Sequence, residues 1–110
     1  MKYFVFDNER KNTVYLEFQK GSFDGHTYWK SDSISLSDDL LFSLGINDLL
    51  ASVIPNFNDY SEFEINRELW NCIMQKAKKI GGEVLACISE ANEWVNSTYL
   101  EYDVFTIIGV

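Results

Sequence analysis

A chain of 110 residues is long enough for one domain that buries a core without disulfide or metal staples. A hydrophobic content of 46 %, with aromatics at 15 % of all residues, argues against disorder, and one proline with six glycines leaves little room for a linker. The formal net charge of −8 disfavours direct binding to nucleic acid or an anionic membrane, since both polyanions would be repelled. It suits a basic protein partner, and it also serves solubility alone.

No stretch approaches the ~18 consecutive apolar residues of a membrane helix. At the N-terminus Asp7 and Glu9 interrupt after four apolar residues, unlike a secretion signal, so a cytoplasmic protein is expected. Cys72 and Cys87 have no C-x-x-C spacing and no ligand cluster around them. They read as reduced core or boundary residues.

In chain order, Tyr3 to Phe6 is apolar on both faces and reads as a strand inside a sheet. After the polar connection 7–12, Thr13 to Phe18 alternates, with Val14, Leu16 and Phe18 on one face and Thr13, Tyr15 and Glu17 on the other. The two strands read as an antiparallel hairpin. Gly21 and Gly25 mark a second turn, and His26 to Leu36 gives a third strand, completing an N-terminal meander. The pattern then switches. Ser37 or Asp38 can cap a short helix ending near Gly45, and Asn47 or Asp48 a second one stopped by Pro55. Asn56 to Tyr60 is a polar, aromatic loop.

Ser61-x-x-Glu64 has the spacing of a capping box, which predicts a helix over 62–80. Phe63, Leu69, Trp70, Ile73, Met74, Ala77 and Ile80 would then share an arc of about 140°, with Asn66 polar near its centre. Gly81-Gly82 supplies a stop. A second helix runs from Glu83 to about Tyr102, with Val84, Leu85, Ile88, Ala91, Val95, Tyr99 and Tyr102 on one face. The closing stretch Val104 to Val110 is strand-forming and apolar on both faces. It belongs in the sheet interior, with the first strand a candidate neighbour. The expected fold is α+β: one domain over 1–110, with an antiparallel sheet of about four strands and helices packed on one face.

The sharpest compositional feature is the stretch Ser31 to Asn66, which has no lysine or arginine and carries Asp32, Asp38, Asp39, Asp48, Asp59, Glu62 and Glu64. It contributes −7 of the net −8, against +1 before it and −2 after it. Tolerating so many uncompensated acids motivates a surface that meets a cationic partner, with Phe57, Tyr60 and Trp29 as aromatic anchors. The candidate partner-binding residues are Asp38, Asp39, Asp48, Phe57, Asp59, Tyr60, Glu62 and Glu64. A merely solvated face accounts for the same acids and stays open beside it.

Chemistry-bearing motifs are few. His26 is the only histidine, follows a turn glycine and has no nucleophile pattern around it, so it reads as an exposed turn residue. Asp38-Asp39 at a helix start are favourable there without any catalytic role. No segment has the calcium-loop or phosphate-loop spacing. No catalytic residue, metal or cofactor is therefore assigned.

The aromatic first strand Lys2-Tyr3-Phe4-Val5-Phe6, the acidic mid-segment, Asn92-Glu93-Trp94-Val95 and the closing Asp103 to Val110 together resemble small bacterial immunity proteins of contact-dependent and other polymorphic toxin systems. The resemblance is one of overall plan and rests on no specific motif. It implies a non-enzymatic, cytosolic protein that binds a cognate toxin domain, often a nuclease, and blocks it. Two alternatives stay open: an adaptor or self-associating domain, and an enzyme using Asp and Glu residues.

Overall fold

The computed structural model describes residues 1–109 and has the expected α+β architecture. Its strands are β1 (Phe4–Phe6), β2 (Tyr15–Lys20), β3 (Ile34–Ser37), β4 (Glu62–Asn66) and β5 (Val104–Ile108). The helices are α1 (Asp38–Ser43), α2 (Ile46–Val53), α3 (Arg67–Ile80) and α4 (Gly82–Tyr99). The strands form one sheet in the order β1-β3-β2-β5-β4, every neighbouring pair antiparallel.

The first two strands are not a hairpin. β3 lies between them, so β1 is an edge strand and runs parallel to β2. The cause is the connection: Asp7–Glu9 winds into a 3₁₀ turn, and the Glu9 carboxylate accepts the Phe6 N–H at 2.9 Å, which steers the chain away from a tight turn. The third strand is also shorter than His26–Leu36, because only Ile34–Ser37 joins the sheet. β5 is interior as its apolar pattern requires, but its neighbours are β2 and β4 rather than β1. Val110 lies outside the described residues.

The largest correction concerns Ser61–Asn66. Glu62–Asn66 is strand β4, and the cap of α3 is Asn66, whose Oδ1 accepts the Leu69 N–H at 2.8 Å. The expected capping box at Ser61 therefore does not form. Glu62-Phe63-Glu64-Ile65-Asn66 alternates polar and apolar, a period of two that fits a strand. Ile80, expected on the buried face, is exposed at the helix end, and Tyr102 lies beyond α4 and is exposed. For the shorter helices, Ser37 caps α1 through the Leu40 N–H, as expected. α2 instead starts after Gly45, whose φ of 77° is open to glycine, with no side-chain cap from Asn47 or Asp48.

One face of the sheet and the helices share a single core. Phe105 of β5 sits at its centre, with the rings of Phe18, Trp70, Trp94 and Tyr99 at centroid distances of 5.1 to 6.0 Å around it. The one indole deep in this core, Trp70, is satisfied by donating Nε1–H to Asn92 Oδ1 at 2.9 Å, as burial of an indole demands. Both cysteines are free; Cys87 is buried here and Cys72 is exposed.

The opposite face is covered by loops. Glu17, read from its alternation as pointing away from the apolar face, does so yet is fully buried beneath the segment 21–33. Its carboxylate accepts the backbone N–H groups of Trp29 at 2.9 Å and Lys30 at 3.1 Å and the side-chain amide of Gln19 at 3.2 Å. Arg10 stacks its guanidinium 3.8 Å from the centroid of the Trp29 ring, joining this loop to the β1–β2 connection. Trp29 is thus a structural piece of the loop rather than a free anchor.

Candidate partner-binding surface

The structure divides the expected partner-binding residues into two groups. Asp38 and Asp39 occupy the first turn of α1 and line a depression of about 380 Å³ together with Lys2, Lys11 and Tyr15. The protein's own lysines share that depression. These two acids stand at the β3 end of α1, one turn before Phe42 of the same helix.

The second group converges. Asp48 of α2 lines a shallower depression of about 140 Å³ with Phe42, Asn47, Ala51, Phe57, Asn58 and Asp59. Phe57 stacks on Phe63 of β4 with centroids 5.2 Å apart, which ties the 55–60 loop to the edge of the sheet. Tyr60 is 76 % exposed beside it. Glu62 and Glu64 follow on one face of β4, both exposed, while Phe63 and Ile65 face the core. Asp48, Phe57 and Asp59 therefore share one depression that the Phe57–Phe63 stack joins to the core-side face of β4, while Glu62 and Glu64 project from the opposite face of the same edge strand.

Phe42 is an addition that sequence reasoning missed. It lies in α1, half exposed, and lines the Asp48–Asp59 depression. A large aromatic on a six-residue helix preceding an acidic turn was the available signal.

The electrostatics of this region are simple. Among the described residues Asp7–Arg10 is an ion pair and the His26 ring lies 3.7 Å from the Asp24 carboxylate, and neither contact involves the 31–66 stretch. Glu62 and Glu64, two residues apart on one face, stand about 7 Å from each other. That is within the Debye length of about 8 Å at physiological salt, so an approaching cation feels both.

Outside the region, His26 is an exposed turn residue, as expected, and its N–H donates to Asp24 Oδ1 at 2.9 Å. The hydroxyl of Thr27, then the N–H groups of His26 and Thr27, hold the Asp24 carboxyl well below the usual carboxylate range. Among the described residues no three His, Cys, Asp or Glu side chains converge in a way that could hold a metal ion. No helix there is long and apolar enough to cross a membrane.

Comparison with protein-family models, curated proteins and solved structures found no match for this chain.

Proposed function

We propose that this protein is a binding module that docks a basic protein through the acidic, aromatic region on its β4 side, acting as a cytosolic immunity protein that neutralises a cognate toxin domain. The observation that carries this reading is that Asp48 and Asp59 share a depression with Phe42 and Phe57, beside an edge strand that exposes Glu62 and Glu64, with no ion pair to any of these acids among the described residues. Unpaired acids around half-exposed rings suit an interface whose aromatic centre supplies contact area and whose charged rim speeds encounter, toward ~10⁸ M⁻¹s⁻¹ at low salt. A toxin domain with a cationic nucleic-acid-binding cleft would present the complementary surface.

A second reading, an adaptor or self-associating domain, is favoured by a different place. Met1, Phe6, Ile34 and Trp94 line a largely apolar depression of about 590 Å³ between β1 and α4.

The test is co-expression with the domain encoded immediately upstream, followed by co-purification and binding kinetics. Rescue of growth with a one-to-one complex is expected. Changing Asp48, Asp59, Glu62 and Glu64 together to lysine should cut the association rate by at least tenfold while leaving the circular dichroism spectrum unchanged. A complex indifferent to that reversal and to salt would refute the acidic interface. A concentration-dependent homo-oligomer that forms no complex with the upstream domain would favour the adaptor reading.

A further inference from the structure

The sheet has two edges, and they are finished differently. On β1, the Phe4 N–H donates to Glu90 Oε1 at 2.7 Å and the Phe6 N–H to Glu9 Oε1 at 2.9 Å. Glu90 also accepts from the N–H groups of Lys2 and Tyr3, at 2.8 and 2.9 Å. Two carboxylates thus occupy the outward donors of that edge, and a further strand finds none free there.

β4 has no such plug. The Gly109 N–H donates to the Ser61 carbonyl at 2.8 Å, and the register pairs Phe63 with Ile107 and Ile65 with Phe105. In an antiparallel ladder, hydrogen-bonded and non-bonded pairs alternate, so Ser61, Phe63 and Ile65 bond to β5. The N–H and C=O groups of Glu62 and Glu64 then point away from the sheet. No side chain or backbone group among the described residues is bonded to them.

We infer that this free edge of β4 receives an extended, cation-bearing segment of the partner as a sixth strand. The inference rests on the reading above that the partner is basic, and adds the way it is held. Main-chain bonds to Glu62 and Glu64 supply the pairing, as in other strand-addition complexes. The side chains select the occupant. Glu62 and Glu64 share one face, so a paired strand with lysine or arginine at alternate positions places a cation beside each carboxylate. On the other face Phe63 and the Phe57 ring stacked on it offer apolar surface for the intervening residues.

A second copy of this chain is the wrong occupant. Two β4 edges brought together would crowd their four glutamates on the same face, and like charges across a strand pair are destabilising. Edge charges of this kind keep sheets from joining their own copies. Here the same charges admit a strand of opposite sign.

The test uses the whole protein and a nine-residue peptide alternating lysine with valine, followed by amide exchange and NMR titration. The peptide should slow exchange of the Glu62 and Glu64 amides at least tenfold. A peptide of the same sequence, N-methylated on alternate residues so that it cannot pair, should not. Glu64→Pro removes an N–H that points out of the sheet, a position an edge strand tolerates, and should weaken peptide binding at least tenfold beyond Glu64→Gln, which removes only the charge. Unchanged exchange at both amides, or equal binding of the N-methylated peptide, would overturn strand pairing. A charge-sensitive complex with the upstream domain in which both amides still exchange freely would also overturn it while leaving acidic docking intact. Conversely, protection by the peptide beside a partner complex indifferent to charge reversal would show that the edge can pair with a strand but overturn both acidic docking and a cation-bearing segment of the partner as its occupant.

Discussion

Glu17 is the residue on which the covering loop depends, and its replacement gives the sharpest test of the architecture. Its carboxylate is fully buried and takes three donors: Trp29 N–H on one oxygen, and Lys30 N–H with Gln19 Nε2 on the other. Glutamine at this position keeps one acceptor oxygen and turns an NH₂ toward a donor that had been satisfied. At about 1–3 kcal/mol for each buried donor left unpaired, plus the loss of charge assistance, Glu17→Gln should cost about 2–3 kcal/mol. Glu17→Ala strands all three donors and leaves a cavity. The loop is peripheral enough to admit water, so the cost should stop at about 3–5 kcal/mol rather than the full sum. At about 4 °C per kcal/mol for a domain of this length, Tm should fall by roughly 8–12 °C for the glutamine variant. Urea midpoints give the free energy, and amide exchange at Trp29 and Lys30 locates it. A Glu17→Gln protein within about 0.5 kcal/mol of the parent, with those two amides still protected, would show that the Glu17 carboxylate does not hold the loop.

Three further expectations follow from other contacts. Asn66→Ala should destabilise by about 1 kcal/mol through loss of the α3 cap, while Ser61→Ala should be close to neutral; equal urea midpoints for the two would contradict the start of α3 at Arg67. Gly109→Ala would bring a Cβ within 2.5 Å of the Tyr60 nitrogen and 2.6 Å of the Asp59 oxygen, so backbone must shift, at about 1–3 kcal/mol. An unchanged midpoint would show that the 59–60 loop does not press on the end of β5. Burial, helped by the Glu90 charge, pushes the Cys87 thiol up from 9.0 to about 12. Because the folded value lies above the unfolded one, the neutral thiol's stability is complete below about pH 9 and is lost progressively as pH rises toward about 12. Cys87→Ala should flatten part of that alkaline decline, and in the native protein at pH 8 a thiol reagent should titrate Cys72 alone.

The sequence was most legible where one period governed a whole element. The i,i+4 apolar faces of α3 and α4, broken at Gly81-Gly82, predicted the helical hairpin directly. β4 was hidden because Phe63 satisfies both the strand alternation and the helical arc of the residues that follow it. The polar Asn66 in the middle of that arc was the sign of a boundary, since an asparagine there is favourable as a cap and costly as a core residue. Strand order was beyond local patterns: whether β1 pairs with β2 or β3 depends on the 7–14 connection and on Glu9 and Glu90, which act across the chain. Glu17 was invisible for a related reason. Its alternation was right, but nothing local shows that a distant loop will bury the face it points to. The acidic region was legible as composition and not as geometry, for Asp38 and Asp39 share the charge of the stretch but not its β4 side.

The division of labour among the carboxylates connects these observations. Every acid that holds this fold by accepting hydrogen bonds lies outside residues 31–66: Asp7 takes Arg10, Glu9 and Glu90 close the β1 edge, Glu17 anchors the outer loop and Asp24 its turn. These groups have their donors and are held in place by them. Inside the stretch, Asp48, Asp59, Glu62 and Glu64 have no ion pair among the described residues: the first two line a depression with Phe42 and Phe57, and the last two stand on an unplugged strand. Solubility needs net charge but no particular placement, and it is served as well by acids dispersed over every surface. Glu62 and Glu64 put two uncommitted acids where main-chain donors and acceptors are also uncommitted, and this sets the two edges of the sheet apart: one is closed by the chain itself, and the other is charged against its own copies and open to a cation.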